Sequence, residues 1–243
     1  KYYKKYPSGI SHKLLICFKL IDIKKIAKLR YLLKNIDYIE FVDPNLLNDY
    51  DFGSYKRVSK LYPSYRILFL NSHSYPNSPM WLKKIDAHFK NKTIIGTSSS
   101  NESFLTSLKI KKIYKIFSYI KKLLKYKKKF NPFPNPHIRT SSFYIMGSDL
   151  LSFLDKKFFL SKEDAWYAES GINGLTNFFK NKKYNILIIN SDGEKFTEKK
   201  WKLSETFNYM SQTKSLISDK HTRKYLKLSV KQRLIFERNT WGK

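Results

Sequence analysis

The chain has 243 residues, of which 42% are hydrophobic and 16% aromatic, so it is long and apolar enough to fold around a substantial core. Its net charge of +29 comes mainly from lysine, and such an excess attracts nucleic acids, anionic lipid headgroups and diphosphate groups. The single cysteine, Cys17, excludes an internal disulfide and a zinc site built from cysteines.

The first 103 residues alternate between short apolar runs and segments with helical spacing. The apolar runs predict strands over residues 14–18, 38–42, 66–70 and 93–96, and the first of these is apolar enough to be buried on both faces. The intervening spacing predicts helices over residues 21–33, 52–61 and 80–89. This alternation predicts an α/β fold with a mainly parallel sheet flanked by helices.

Polar residues follow the carboxyl ends of three of these strands. They are Asp43, then Asn71, Ser72 and His73, and then the segment 97–100. Ligands of parallel α/β sheets bind beyond the carboxyl ends of the strands. We therefore expect these residues to line a binding site.

Residues 107–129 combine an apolar stripe with many lysines, which predicts a basic amphipathic helix. Two interpretations remain open. The stripe could dock on the rest of the domain, or the helix could lie on an anionic lipid surface, where each lysine contributes about 1 kcal/mol.

The segment 131–140 is too rich in proline and asparagine for regular structure, and it contains His137 and Arg139. We expect a rigid polar loop, followed by a strand over 141–146 and a short helix over 147–154. A helix over 174–179 and a last core strand over 185–190 complete this half.

An acidic cluster in this basic chain lies in the segment 162–176, KEDAWYAESGINGLT. It contains Glu163, Asp164 and Glu169, at the predicted start and along the body of a helix. If the protein is an enzyme, we expect its general base here. The alternative interpretation is an ordinary solvated helix cap.

Several common motifs are absent from the sequence. There is no phosphate-binding loop, dinucleotide fingerprint, HExxH, GxSxG or Cys/His cluster, which argues against kinases, dehydrogenases, zinc hydrolases and serine esterases. No segment reads as a signal peptide or as a membrane span of roughly 20 apolar residues. We expect a cytoplasmic protein, able to bind peripherally at the inner face of the membrane.

Several blocks of sequence, in the same order, resemble a bacterial family of GT-A-fold glycosyltransferases associated with surface polysaccharide. The blocks include FLNSHSYPNSPMWL at 69–82, NPFPNPHIRTSSF at 131–143, the acidic segment 162–176 and NTWG at 239–242. The resemblance spans nearly the whole chain. It implies transfer of a sugar from a nucleotide-diphospho-sugar donor to a glycan or lipid-linked acceptor, with inversion at the sugar carbon.

The resemblance also implies a single GT-A-like domain over residues 1–243. Residues 1–103 would form the nucleotide-sugar-binding half and residues 131–200 the acceptor half. Between them lies the basic amphipathic helix, within 104–130. Residues 201–243 would form a helical C-terminal extension.

The family's acidic pair matches Glu163 and Asp164, so the resemblance implies that Asp164 is the catalytic base and Glu163 its neighbour. A positioned carboxylate suits this chemistry, because a sugar hydroxyl is a poor nucleophile until its proton is removed. The residues expected to bind substrate are Asp43, Asn71, Ser72, His73, His137, Arg139, Glu169 and Ser170.

The sequence departs from the family pattern at two places. Asn71-Ser72-His73 stands where most members hold Mg²⁺ or Mn²⁺ with an Asp-x-Asp motif, which leaves the divalent metal an open question with His73 as its candidate ligand. The run 14–18 corresponds to the family's second strand, so a first strand is not accounted for. Two rival interpretations are a basic nucleic-acid-binding module and a non-catalytic relative, of which nucleic-acid binding leaves the acidic cluster unexplained.

Overall fold

The structure is a computed structural model that describes residues 2–110 and 112–242. Up to residue 100 the elements are α1 (Tyr2–Lys5), β1 (Leu15–Phe18), α2 (Ile23–Leu33), β2 (Ile39–Val42), α3 (Tyr50–Leu61), β3 (Arg66–Leu70), β4 (Tyr75–Pro76), α4 (Trp81–Asp86), β5 (Thr93–Gly96) and β6 (Ser99–Ser100).

The second half contains most of the helices. After a 3-10 turn at Ile113–Lys115, the elements are α5 (Ile116–Lys129), β7 (His137–Ile138), β8 (Ser142–Met146), α6 (Gly147–Leu154), α7 (Lys162–Ser170), α8 (Leu175–Asn181), β9 (Asn185–Ile189), β10 (Lys195–Phe196), a 3-10 helix at Glu198–Ser204, β11 (Ile217–Ser218), α9 (Lys220–Leu226) and α10 (Val230–Trp241).

The centre of the fold is a five-stranded mixed sheet in the order β10-β9-β5-β8-β3. β5 and β9 run parallel, whereas β8 lies between β3 and β5 and is antiparallel to both. The α/β class predicted from the sequence is confirmed, but the sheet is mixed where we expected it to be mainly parallel. The reason is that β8 enters the sheet from the edge at which β3 and β5 end, so it must run back between them.

β1 does not belong to this sheet. It pairs with β2 in a separate two-stranded parallel sheet, with Cys17 opposite Phe41. Leu15 is only half buried, so the expected burial on both faces is wrong for most of the strand. An apolar run of this length indicates that a strand packs against neighbouring elements, but it does not indicate what fraction of the strand's surface is buried.

The main core lies between the sheet and the helices α3, α6 and α8. Phe143 and Ile145 of β8 are fully buried, and the ring of Phe143 stacks on that of Phe69 in β3 with 5.3 Å between centroids. Leu150 of α6 and Phe179 of α8 are also fully buried in this core. This packing fixes the position of β8, whose first residues lie at the site.

The C-terminal segment packs into the same core. Trp201 and Trp241 belong to the main cluster of buried residues. The indole N–H of Trp241 donates to the carbonyl of Phe207 at 2.9 Å, and the Asn101 N–H donates to the carbonyl of Thr240 at 3.1 Å. The segment contains two α-helices, α9 and α10, but the chain between Ser204 and Lys220 is not helical and includes β11, so the predicted helical extension is confirmed only in part. The segment contacts the loop after β5 at Asn101.

α5 is shorter than the predicted helix, because regular α-helix begins at Ile116; Lys111, within the predicted range, lies outside the described residues. Its C-terminal half is anchored by the buried Tyr126 and, just beyond it, Phe130. Across residues 2–110 and 112–242, no helix has both the length and the apolar character needed to cross a bilayer.

Candidate functional site

The site is built where β3 and β5 end and β8 begins. Leu70 pairs with Ser142, the first residue of β8. Just beyond, the Asn71 N–H donates to the carbonyl of Ser141 at 3.1 Å, and the Thr97 N–H donates to that of Ser142 at 3.3 Å. The loops that follow two strands and the loop that precedes a third therefore meet at one edge.

The loop after β3 is a tight polar turn. The Asn71 side-chain oxygen accepts from the His73 N–H at 3.0 Å and from the Ser74 hydroxyl at 2.8 Å. Ser72 and His73 are exposed at its tip. Both terminal nitrogens of Arg223 donate to the His73 carbonyl at 3.0 Å. The guanidinium group of Arg223, in the C-terminal segment, therefore holds the tip of this turn in place.

The loop after β5 runs beside the predicted polar loop. Ser100 in β6 pairs with His137 in β7, and the Arg139 N–H donates to the Ser98 carbonyl at 3.0 Å. His137 is buried, and its Nδ1 lies 2.8 Å from the carbonyl of Asn135. Burial lowers the pKa of His137 despite the nearby negative charge of Glu169, so the neutral imidazole is favoured.

Arg139 is held by a buried ion pair. Its guanidinium lies 2.7 Å from a carboxylate oxygen of Asp219, donates to Ser98 and lies 3.7 Å over the ring of Phe207. Burial acts to raise the pKa of Asp219, but Arg139 and the N–H of Thr222 outweigh it and hold that pKa at about 2. Sequence analysis placed Arg139 at the site and missed its partner, which lies 80 residues further along the chain.

The acidic pair at the start of α7 makes local contacts. Asp164 accepts from the Ser161 N–H and hydroxyl, both at 2.8 Å, while the Ser161 hydroxyl accepts from the Asp164 N–H in a capping box. Glu163 accepts from Lys129 at 3.2 Å and lies 2.8 Å from Lys125 in α5. These contacts start the helix and hold it against α5.

Glu169, at the other end of α7, faces the polar loops. One of its carboxylate oxygens accepts from the Thr140 N–H at 2.8 Å and from the Thr140 hydroxyl at 3.0 Å. Thr140 precedes Ser141, whose carbonyl holds Asn71, so Glu169 lies beside the loop after β3. Five helical positions separate Glu169 from Asp164, which puts the two side chains about 140° apart around the helix axis.

The chain leaves Glu169 through a tight glycine turn. The buried carbonyl of Ser170 accepts from the side-chain amide of Asn135 at 2.7 Å, which ties α7 to the polar loop. A Cβ atom on Gly171 would lie 2.5 Å from the carbonyl oxygen of Tyr167, so only glycine fits without a shift. This turn holds the end of α7 against the loop that contains His137.

Asp51 completes the cluster and was not predicted from the sequence. It lies at an exposed position in the first turn of α3. Partial desolvation raises the pKa of the Asp51 carboxyl group, the charges of Lys19 and His73 oppose the rise, and the charge of Glu169 adds to it. The available signal was an acidic residue in the first turn of a helix, after the polar stretch 43–49.

His221 of α9 lies in the same environment. It is exposed, and partial desolvation, followed by the positive charge of Arg139, lowers its pKa. The charges of Asp219, Glu102 and Glu169 act in the opposite direction. His221 therefore belongs to the wall formed by the C-terminal segment, which sequence analysis treated as an extension.

Asp43 is buried in a separate network. It accepts from the Ser54 hydroxyl at 2.6 Å and pairs with Arg57 at 2.6 Å. Arg57 also pairs with Asp49 at 2.6 Å, and Lys19 contacts the same carboxylate. Asp43 therefore joins β2 to α3 and does not lie with the other predicted site residues. Those that the structure brings together at one edge of the sheet are Asn71, Ser72, His73, His137, Arg139, Glu169 and Ser170.

The donor set after β3 fits a divalent metal poorly. Mg²⁺ and Mn²⁺ prefer carboxylate oxygens, but this turn supplies one imidazole, His73, and the Asn71 oxygen already accepts two hydrogen bonds. Across the described ranges no three His, Cys, Asp or Glu side chains are arranged to hold a metal ion.

A groove of about 630 Å³ lies on the other side of α7, between α5 and residues 104–110. Trp166, one helical turn before Glu169, lines it together with Tyr119 and Lys122 of α5. It is open and lined mainly by aromatic and basic side chains, as in surfaces that accept sugar rings or anionic groups.

Comparison with known proteins finds no matching family model, curated protein or solved structure.

Proposed function

We propose that this protein is a glycosyltransferase that moves a sugar from a nucleotide-diphospho-sugar donor to a glycan or lipid-linked acceptor. One observation carries the proposal: the Glu169 carboxylate is held by Thr140 beside the loop of Asn71–His73. A carboxylate at the carboxyl ends of sheet strands is well placed to act on a ligand bound there.

Glu169, rather than Asp164, is the proposed base. Thr140 occupies one of its carboxylate oxygens, and the other accepts no hydrogen bond from the described residues, so it is free to take the acceptor's hydroxyl proton. The acceptor oxygen then forms a bond to the sugar carbon as the bond to the leaving diphosphate breaks, which inverts that carbon. Asp164 likewise has one carboxylate oxygen occupied, by Ser161, but it caps the opposite end of α7 and lies about 140° around the helix from Glu169.

Asp51 has a different role from Glu169 in this proposal. Burial and the charge of Glu169 raise the pKa of Asp51, while the charges of Lys19 and His73 oppose that rise. Asp51 would hold a hydroxyl group of the donor sugar, and Glu169 would take the proton of the acceptor.

Cationic and polar groups at the same edge suit the departing diphosphate. His73 is exposed at the tip of its turn, and Arg223 fixes that tip through the His73 carbonyl. Arg139 contributes less charge, since Asp219 neutralises it. The chain's net charge of +29 would raise the local concentration of an anionic donor.

The proposal includes a GT-A-like fold and a location at the inner face of the membrane. The sheet edge where β3 and β5 end would hold the nucleotide-sugar, and the groove beside Trp166 would receive the acceptor, in a GT-A-like domain. We propose a cytoplasmic location at the inner face of the membrane, where both the donor and a lipid-linked acceptor would be accessible.

A matched pair of substitutions tests the base. With UDP-, GDP- and dTDP-sugars as donors and release of nucleoside diphosphate as the readout, Glu169→Gln should lower turnover by about 100-fold or more. Asp164→Asn should leave turnover within a few-fold of the wild type but lower the free energy of unfolding by about 1 kcal/mol, since it weakens the capping box. The reverse pattern would return the base to Asp164.

Ligand binding provides an independent test. UDP, GDP or dTDP at about 100 times its dissociation constant should stabilise the fold by about 2.7 kcal/mol, seen as a higher Tm. A short single-stranded oligonucleotide should produce a smaller shift that high salt abolishes. If the oligonucleotide stabilises the protein and none of the nucleoside diphosphates does, the transferase proposal is wrong.

A further inference from the structure

The outer surface of α5 carries an apolar strip that no other part of the described chain covers. Ile116, Phe117, Ile120 and Leu124 expose 41%, 83%, 45% and 57% of their surfaces. At about 100° per residue, these four positions fall within an arc of about 100° around the helix. A contiguous exposed apolar patch of this kind marks an interaction surface.

Lysines surround this apolar strip. By the same helical geometry Lys127 lies within the arc, and Lys121 and Lys128 border it. All three are exposed, and within the described ranges none of them pairs with a carboxylate. The sequence has no Asp or Glu between residues 103 and 148, so this surface is uniformly positive and complements an anionic partner.

The opposite side of α5 is fixed to the protein. Tyr126 is buried, and Lys125 and Lys129 both contact Glu163 in α7. The helix is therefore held in place by one side while the apolar strip faces outward. A helix anchored in this way does not need to refold to present that strip to a flat surface.

We propose that α5 docks the protein on an anionic lipid surface. The apolar strip enters the boundary between headgroups and acyl chains, and the lysines reach the lipid phosphates with their long side chains. An apolar stripe flanked by lysines on a helix lying along the surface suits this interface better than a protein groove, which would need its own row of carboxylates. Of the two interpretations left open by the sequence, docking of this stripe on the domain is wrong for Ile116, Phe117, Ile120 and Leu124, because the side of α5 that contacts the protein is the opposite one.

Vesicle sedimentation of the full chain tests the docking. The protein should bind vesicles of phosphatidylcholine mixed with phosphatidylglycerol, and bind phosphatidylcholine vesicles weakly. Phe117→Ser with Ile120→Ser should lower the partition coefficient by at least about ten-fold, through lost apolar burial. Lys121→Gln with Lys128→Gln should lower it by about five-fold for each lysine, and high salt should do the same.

Matched controls come from elsewhere on the surface. Leu234→Ser with Ile235→Ser changes two apolar residues of α10 that are 59% and 50% exposed, and Lys199→Gln with Lys200→Gln removes two exposed lysines. Both controls should bind mixed vesicles like the wild type. Circular dichroism of each variant should match the wild type, because all these side chains are on the surface.

Three results would overturn the docking proposal. These are equal binding to both vesicle types, unchanged binding after Phe117→Ser with Ile120→Ser, or no vesicle binding together with a dimer that the same substitutions dissociate. The last result would show that a second copy of the chain covers the strip. Nucleoside diphosphate release without vesicles should be unaffected by the α5 variants, so this proposal and the transferase proposal fail separately.

Discussion

Arg139 and Asp219 form an ion pair at the most enclosed part of the site. Both side chains are almost fully buried, and their charged atoms lie 2.7 Å apart. A buried pair of this kind offsets its own desolvation only while both partners are present. Its structural effect is to hold α9 against the loop that contains His137, so the pair joins the C-terminal segment to the site.

Asp219→Asn should therefore destabilise the protein strongly at neutral pH. Asparagine can still cap α9 through its side-chain oxygen, so the substitution mainly leaves Arg139 buried without its counter-ion. We expect the free energy of unfolding to fall by about 3–5 kcal/mol at pH 7. Urea unfolding followed by circular dichroism measures this difference.

The same substitution has a defined pH dependence. The pKa of Asp219 is about 2 in the folded protein and about 3.9 in an unfolded chain, so the ionised carboxylate contributes stability that is present above about pH 4 and lost as the pH falls towards 2. The difference between wild type and Asp219→Asn should narrow over that range. Asp22→Asn, at the exposed cap of α2, is the control and should change little at any pH. A difference that stays constant with pH would contradict this account.

The acidic cluster shows what residue-level sequence analysis could and could not predict. It located α7 and its carboxylates, because acidic residues near a helix start are conspicuous in a basic chain. It assigned the base to Asp164 and placed Glu169 among the substrate-binding residues, because the sequence does not show which side of α7 faces the loop at Thr140. That orientation is set by contacts far along the chain, such as the one between Asn135 and Ser170.

At the scale of elements, the local sequence pattern predicted the bounds of the strands well, but it predicted their pairing and direction poorly. β3, β5 and α6 have the predicted bounds, since each apolar run is flanked by clear breaks. The direction of β8 was missed, because an apolar run does not record which end of the sheet the strand enters. The length of α5 was overestimated because lysine and isoleucine continue the helical spacing before Ile116.

The junction between β8 and α6 depends on Gly147. Its N–H donates to the carbonyl of Tyr65 at 2.8 Å, and a Cβ atom at this position would lie 2.3 Å from the carbonyl oxygen of Tyr62. Because the obstructing atoms belong to the backbone, no rotamer change can relieve the clash. The close approach lets α6 begin directly at the end of β8 and pack against α3.

Gly147→Ala should therefore lower the free energy of unfolding by about 1–3 kcal/mol, as expected for overpacking. The midpoint of urea unfolding measures the change. Ser148→Ala, at the next and exposed position, is the matched control and should stay within about 0.5 kcal/mol of the wild type. Equal midpoints for the two variants would mean that the backbone around Tyr62 adjusts freely.

At the scale of the whole molecule, the C-terminal segment is part of the fold and of the site. It supplies Asp219 to Arg139 and Arg223 to the turn at His73, and it buries Trp241 in the main core. Sequence analysis predicted helices in this segment but treated it as an extension. The sequence of residues 201–242 does not indicate that they contact Arg139 and His73, which lie in the first 140 residues.

Trp241→Ala tests whether the segment and the sheet unfold together. The Trp241 side chain is only 9% exposed and its N–H donates to Phe207, so its removal should cost about 3–5 kcal/mol. If the chain is one cooperative unit, a single transition should shift to lower urea, with loss of amide-exchange protection in β3 and β8 as well as in α10. Leu226→Ala, at a site 47% exposed, should shift that transition much less. Early loss of protection in α10 alone, with β3 and β8 unchanged, would instead show that α10 unfolds separately, and that the site contacts made through Asp219 and Arg223 do not depend on it.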